Sequence, residues 1–345
     1  SPHAGVAALS SVRWIAALAL ASGFCASAGA VELVVYTAIE TDQLKAYAES
    51  HRRANPDIEL RFVRDSTGAI TSRLLSEKAR PKADVILGVA ASSMEVFKSE
   101  GMLVAYTPRG FGELERRFSD LHEPPHWVGM DIFSALICYN PKASPAARKA
   151  PKPTRWSDLG RPEYKGLIVM PSPVSSGTAY LQVVSWIQNL GEAKAWRFMD
   201  SLHANVARYT HSGSRPCLEV ADGDAVIGIS FDSRGNDLKL RGAEVELVSP
   251  RDGVGWDIEA SAILKPDRKR EAARRFMDWV ASREANEVYA RHYVIVAHAK
   301  VKDGRLAFIP ADLGKRLSAT DFEYAARNRS RILAEWTRRY GAKTR

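Results

Sequence analysis

The sequence predicts an α/β fold built on parallel sheet, with its candidate sites in the loops at the carboxyl ends of the strands. Three observations predict it. Strand-like runs are each followed at once by a helical pattern. The corners between them are short and rich in serine, threonine and glycine. The 345 residues, 46% apolar and 26% charged, suffice for a sizeable core and for two domains. Strands that alternate with helices imply a parallel sheet, and ligands gather outside the carboxyl ends of its strands.

Residues 1–30 stand apart from this pattern. Arg13 precedes the apolar run Trp14-Ile15-Ala16-Ala17-Leu18-Ala19-Leu20-Ala21, and Ala28-Gly29-Ala30 supplies small residues for cleavage, so a secretory signal cut after Ala30 is expected. The run is too short to span a membrane, and no later segment is long enough. Cys25 is not read as a lipidated residue, because Phe24 stands where a small residue is needed.

Three strand–helix units follow. "VELVVYTA" is a buried-type strand, and "DQLKAYAESHRRANP" is a helix carrying Leu44, Tyr47 and Ala48 that stops at Asn55-Pro56. "IELRFV" alternates through Ile58, Leu60 and Phe62, and the helix after it places Ile70, Leu74 and Leu75 on one face. "ADVILGV" is the third strand, and "SSMEVFKSEGM" is a helix capped by Ser92 or Ser93 and stopped at Gly101. The strand-end corners are therefore Tyr36-Thr37-Ala38, Asp65-Ser66-Thr67-Gly68 and Ala90-Ala91-Ser92-Ser93.

"WVGMDIFSALICYNP" is apolar but interrupted by Gly129 and Asp131, so it is not expected to be a regular core strand. Past a proline-rich stretch, "KGLIVMPSPVSSGTAYLQVVSWIQNLG" repeats the earlier design: a strand, a hydroxyl–glycine corner, and a helix ending at Gly191. Tyr209 to Ser214 and Ser230-Phe231-Asp232 end two further strands, "GWDIEASAIL" reads as another crossing strand, and the remainder is mostly helical.

Several function classes are excluded. The net charge of +9 is spread among acids, and no basic run carries interleaved aromatics, so no nucleic-acid partner is expected. Gly-x-Ser-x-Gly and the nucleotide phosphate loop are absent. A nucleophilic serine needs a base and an orienting partner, and no histidine sits in a recognisable motif. An enzyme is therefore not expected, with a secreted hydrolase using Ser176 or Ser66 as the distant alternative. His122 and His126 lie four apart, but Pro124-Pro125 forbids a helix there, so neither a metal site nor a cofactor is expected. Beyond the signal there are two cysteines, Cys138 and Cys217; the sequence leaves open whether they pair.

The corners themselves carry the chemistry. A helix N-terminus has unsatisfied N–H donors and partial positive charge, which suits an anion. Ser66 and Thr67 add hydroxyls, and Gly68 admits the anion close to the backbone. Ser175-Ser176-Gly177-Thr178 has the same parts. Either corner alone is explained by helix capping; the two together favour a shared tetrahedral or carboxylate anion.

The segments "VVYTAIETDQLKAY", "NPDIELRFVRDSTGAITSRLLSEK", "ADVILGVAASS", "PPHWVGMD", "YKGLIVMPSPVSSGTAYL", "YTHSGSRPC", "IGISFD" and "GWDIEASAI" together resemble the periplasmic 2-aminoethylphosphonate-binding proteins of bacterial ABC importers. Those proteins sit in the ferric-iron-binding-like branch of type II solute-binding proteins. The resemblance implies two α/β lobes joined by two crossing strands, Trp127 to Asn140 and Trp256 to Leu264, with ligand in the interlobe cleft. The implied divisions are 31–128 for the first part of lobe 1, 129–258 for lobe 2 with the hinge strands, and 259–345 for the return to lobe 1 and the C-terminal helices. It implies a periplasmic monomer that hands an aminophosphonate to an inner-membrane permease. The phosphonate would meet Thr37, Ser66, Thr67, Gly68, Ser93, Ser176, Gly177, Thr178, Ser212 and Ser214. Asp232 is the first choice for the ammonium end, followed by Glu40, Asp257 and Glu259, with Trp256 or Tyr36 offering a cation–π face. The family commonly has glutamate before an aromatic where this chain has Asp232-Ser233. Iron-binding relatives ligate metal through consecutive tyrosines, and no adjacent tyrosines occur here. Another small solute, such as a polyamine, a phosphate ester or ferric iron, is the alternative ligand.

Overall fold

The computed structural model describes residues 29–301 and 306–344. The expected signal, apart from Gly29 and Ala30, lies outside the described residues. Strands β1 (Val31–Thr37), β2 (Ile58–Arg64) and β3 (Val85–Ala90) alternate with helices α1 (Thr41–Ala54), α2 (Thr67–Ser76) and α3 (Ala91–Ser99). After the short β4 (Leu103–Val104), β5 (Val128–Tyr139) leads into β6 (Ile168–Pro171), α4 (Gly177–Leu190), α5 (Glu192–Asn205) and β7 (Val206–Thr210). Then come α6 (Arg215–Ala221), β8 (Ile227–Phe231), α7 (Asp232–Leu240), β9 (Glu246–Val248) and β10 (Trp256–Leu264). Helices α8 (Arg270–Val280), α9 (Arg283–Tyr289), α10 (Leu313–Arg316), α11 (Phe322–Arg327) and α12 (Arg329–Tyr340) follow.

The strands run in the order β2-β1-β3-β10-β5-β8-β6-β7. β1 is parallel to β2 and β3, and β6 is parallel to β7 and β8. Between these parallel sets, β10 and β5 pair antiparallel with each other and with their outer neighbours. β5 serves both halves: Val128 to Ser134 pair with β10, and Ala135 to Tyr139 pair with β8.

β5 corrects the expectation of an irregular segment, for it is a twelve-residue strand buried along its whole length. Gly129 is a packing residue rather than a break, because a Cβ there would lie 2.7 Å from side-chain atoms of Ile258 and Phe118. Asp131 stands opposite Glu259 in register, and burial raises its carboxyl well above the usual range, which favours the neutral acid in the strand.

One core gathers Leu33, Val35 and Tyr47 with Val128, Phe276 and Trp279. Another gathers Ile137, Ile168, Val183 and Trp196 with Tyr209, Trp336 and Tyr340. The segment 259–345, expected to return to the first half, divides between them. α8 turns Ala272, Ala273, Phe276 and Met277 inward against the first core. Trp336 of α12 instead packs edge-on to Tyr209, 4.8 Å between ring centroids, in the second core.

The question of the cysteines is closed by geometry. Cys138 of β5 and Cys217 of α6 are disulfide-bonded, their Cα atoms 5.5 Å apart and 79 residues apart in sequence. Closing a loop of that length restricts the unfolded chain by about 4 kcal/mol in the chain-entropy account. Cys138→Ala with Cys217→Ala should therefore lower the denaturant midpoint by a corresponding amount, and reduction of the wild type should match it. A midpoint unmoved by both would show that the bond contributes nothing to stability.

Candidate functional site

The corner after β2 and the corner after β6 touch. The Gly68 N–H donates to the Ser175 carbonyl at 2.9 Å. A Cβ at Gly177 would lie 2.8 Å from Thr67 Cβ, and one at Gly213 2.6 Å from Thr178 Oγ1. Glycine at 177 is what lets the two corners approach, and glycine at 213 lets its own loop pack on the β6 corner. Around the contact, His211 Nε2 lies 2.7 Å from Asp65 Oδ1, Arg234 binds Glu40 at 2.9 Å and Asp42 at 3.2 Å, and Gln43 donates to Ser233 at 3.2 Å.

Beneath the contact is a cavity of about 40 Å³. It is lined from the first half by Glu40, Arg64, Ser66 and Thr67, and from the second by Ser176, Gly177, Thr178 and Gly213. Phe133, Phe231 and Glu259 complete the wall. The first turns of α2 and α4 leave backbone N–H groups without intrahelical partners. Ser66 makes no side-chain cap bond to α2, whereas Ser176 accepts from Ala179 N at 3.4 Å. Capping therefore occupies one of these hydroxyls weakly and the other not at all.

Arg64 escaped the sequence reading. The alternation that puts Ile58, Leu60 and Phe62 on one face of β2 also puts Arg64 there, so the signal was present. It is held by Ile39 O at 3.0 Å and Glu40 Oε1 at 3.1 Å, and it sets a guanidinium beside the two hydroxyl corners. Phe133 and Phe231, the latter read only as part of a strand-end loop, supply the apolar wall.

Other candidates lie elsewhere. Thr37 Oγ1 accepts from Ile39 N and shapes the turn, and Ser93 accepts from Thr71 Oγ1. Tyr36 donates to Glu77, with the Arg73 guanidinium over its ring. Trp256 donates to Ser318 O and packs on Phe322. Ser212 and Ser214 sit 3.4 Å apart at the start of α6, where Ser212 accepts from Arg215 N; their neighbour Gly213 is the one at the cavity. Asp232 accepts from Ser134 Oγ at 2.9 Å and from Ser233 N at 2.8 Å, and it faces a separate space shared with Leu136, Leu247 and Phe308. Asp257 accepts from Ala91 N and Ser92 Oγ; it thereby anchors the start of α3, which begins at Ala91 rather than after a serine cap. His122 and His126 lie in a loop, bonded to Pro124 O and Asp120; no metal-binding cluster occurs among the described residues.

The acids near the cavity are buried. Burial pushes Asp232 and Asp257 up to about 7 against the pull of their hydrogen bonds. Glu259 and Asp131 are raised well above the usual carboxylate range, by burial first. For Asp131 the Glu259 charge adds to this, and for Glu259 the charges of Glu40 and Asp232 do.

Residues 80–326 match a family described as bacterial extracellular solute-binding protein. The probable ABC transporter periplasmic-binding protein y4fP of Sinorhizobium fredii is 27% identical over 312 residues, 87% of this chain and 80% of that one. The periplasmic binding protein AfuA from Actinobacillus pleuropneumoniae, solved with exogenous fructose-6-phosphate bound, superposes with a TM-score of 0.83 at 27% identity. That match covers 91% of this chain and 99% of AfuA. Iron-bound HitA from Pseudomonas aeruginosa shares the fold, with a TM-score of 0.74 at 20% identity over 88% of this chain and 99% of HitA.

Asp232 binds its proton more tightly in the folded protein than in the unfolded chain. The stability from its neutral form is therefore full below about pH 4 and is lost progressively as pH rises towards 7. Asp232→Asn copies the neutral acid and should gain on the wild type by about 2–3 kcal/mol between pH 5 and pH 8. Paired denaturation curves at the two pH values check this. A difference between the proteins that does not change with pH would show that Asp232 is ionised without penalty.

Proposed function

The chain belongs to the bacterial extracellular solute-binding protein family, and we propose that its ligand is 2-aminoethylphosphonate or a close aminophosphonate. It has the two-lobed type II fold of periplasmic binding proteins, serves an ABC transporter, and is not an enzyme. In this reading a signal over residues 1–30 directs it to the periplasm, and the solute passes from the cleft to an inner-membrane permease.

One observation carries the proposal: two helix N-termini from separate halves and the Arg64 guanidinium converge on a single small cavity. Aligned N–H groups and a guanidinium favour an oxyanion, and hydrogen bonds to a charged acceptor are about twice as strong as neutral ones. Hydroxyls, N–H groups and an arginine suit a phosphonate better than a ferric ion, which calls for hard anionic ligands.

The size of the cavity bears on the tail. A water needs roughly 10–15 Å³ on the same measure, so about 40 Å³ favours a compact solute. The fructose-6-phosphate in AfuA supports a phosphoryl-bearing ligand and makes a sugar phosphate the second reading. A hexose would need the two corners to part.

Titration calorimetry against 2-aminoethylphosphonate, phosphate, fructose 6-phosphate, putrescine and ferric citrate tests the assignment. The aminophosphonate should bind one to one and most tightly; tighter binding of fructose 6-phosphate would replace the proposal with the second reading. Charge-assisted bonds contribute about 1.5–3 kcal/mol each, so Thr67→Ala or Thr178→Ala should weaken binding about tenfold or more with the fold intact. Unchanged affinity in both variants would refute the assigned corners.

Gly177→Ala offers a separate check on the contact between the corners. The helix-interior advantage of alanine does not apply at Gly177, the first residue of α4, and a Cβ there would lie 2.8 Å from Thr67 Cβ, so the melting temperature of the free protein should fall modestly as the corners are pushed apart. Its methyl collides with Thr67, so affinity should fall. An affinity equal to wild type would mean that the corners need not meet.

A further inference from the structure

Glu259 of β10 and Asp131 of β5 are register partners on the two strands that join the halves. Asp131 is fully buried, and its oxygens meet no donor other than the Glu259 carboxyl, with which it can share a proton. Glu259 is nine-tenths buried at the cavity wall; its Oε1 accepts from Tyr293 at 3.1 Å, and its Oε2 has no partner. The nearby arginines are committed elsewhere. Arg64 binds Glu40, and Arg234 binds Glu40, Asp42 and Asp237.

An unpaired carboxylate in such a place is costly, and two adjacent carboxyls cannot both ionise cheaply. We propose that Glu259, backed by Asp131, is the cation-recognising group of the cavity and selects solutes bearing an ammonium group. The inference rests on the aminophosphonate reading and moves the amine contact from Asp232, which faces a different space, to the hinge strands. The other titratable groups facing the pair are Tyr47 of α1, Tyr289 of α9, Tyr293, Glu40 and Asp232. The tyrosines are neutral and carry no charge to the site; the one cation among the described residues of the same wall, Arg64, is paired with Glu40. When an ammonium donates to Glu259 Oε2, the acid pair gives up a proton to solvent while the amine keeps its own. Binding therefore releases a proton from the protein.

The experiment is calorimetry at pH 7 in two buffers of different ionisation enthalpy, which counts protons, with 2-aminoethylphosphonate and its neutral isostere 2-hydroxyethylphosphonate as probes. The wild type should prefer the amino ligand at least tenfold. Glu259→Gln should abolish that preference while changing hydroxyethylphosphonate affinity less than threefold, and it should release fewer protons on binding the amino ligand. The ligand's own titration is common to both proteins and cancels. Asp131→Asn, which keeps Glu259, should retain the preference and shift the pH at which it appears. Equal wild-type affinity for the two probes, or a preference that survives Glu259→Gln, would overturn the subsite and leave the phosphonate reading standing. Failure of the wild type to bind either probe would overturn both.

Discussion

The hydrogen bond from Gly68 N–H to the Ser175 carbonyl sets the first turns of α2 and α4 against each other across the boundary between the halves. Helix ends of the same polarity repel, and here the two positive ends are joined by an arginine at the same cavity. The carboxylates of Glu40 and Asp65 offset part of this, through Arg64, Arg234 and His211. Glu40 does so from the cavity wall itself and Asp65 from beside it. The glycines at 68 and 177 follow from the same constraint, since a methyl group at either would meet the facing corner.

The cavity carries groups of both characters: hydroxyls and Arg64 from the corners, and the acids Glu40 and Glu259. A solute with one sign of charge satisfies one set and leaves the other desolvated. Under the aminophosphonate proposal a short zwitterion would satisfy both in one orientation.

Much of this was legible in the sequence where local patterns carry it. A strand period giving way to a helix period across Asp65-Ser66-Thr67-Gly68, and again across Ser175 to Thr178, located the corners, because backbone direction there is fixed by neighbours in sequence. Asp232 and Tyr36 sit at strand ends as read, yet their side chains turn to Ser134 and Glu77. The choice between faces of a strand end depends on partners far away in the chain. β5 was misjudged for a related reason: Gly129 makes room for Phe118 and Ile258, and Asp131 meets Glu259, none of which is near in sequence.

The chain after β10 weaves between the halves. Leu306, Ile309 and Leu313 pack with Cys138 and Cys217, Phe322 packs on Trp256, and Ile332 and Trp336 lie in the aromatic core beside Tyr209. Together with β5 and β10, this ties the two halves at several points. Val174 is exposed on the corner that meets Gly68, whereas Asp131 and Glu259 are register partners in the strands that join the halves. A parting of the corners would displace the first and leave the pairing of the second in place.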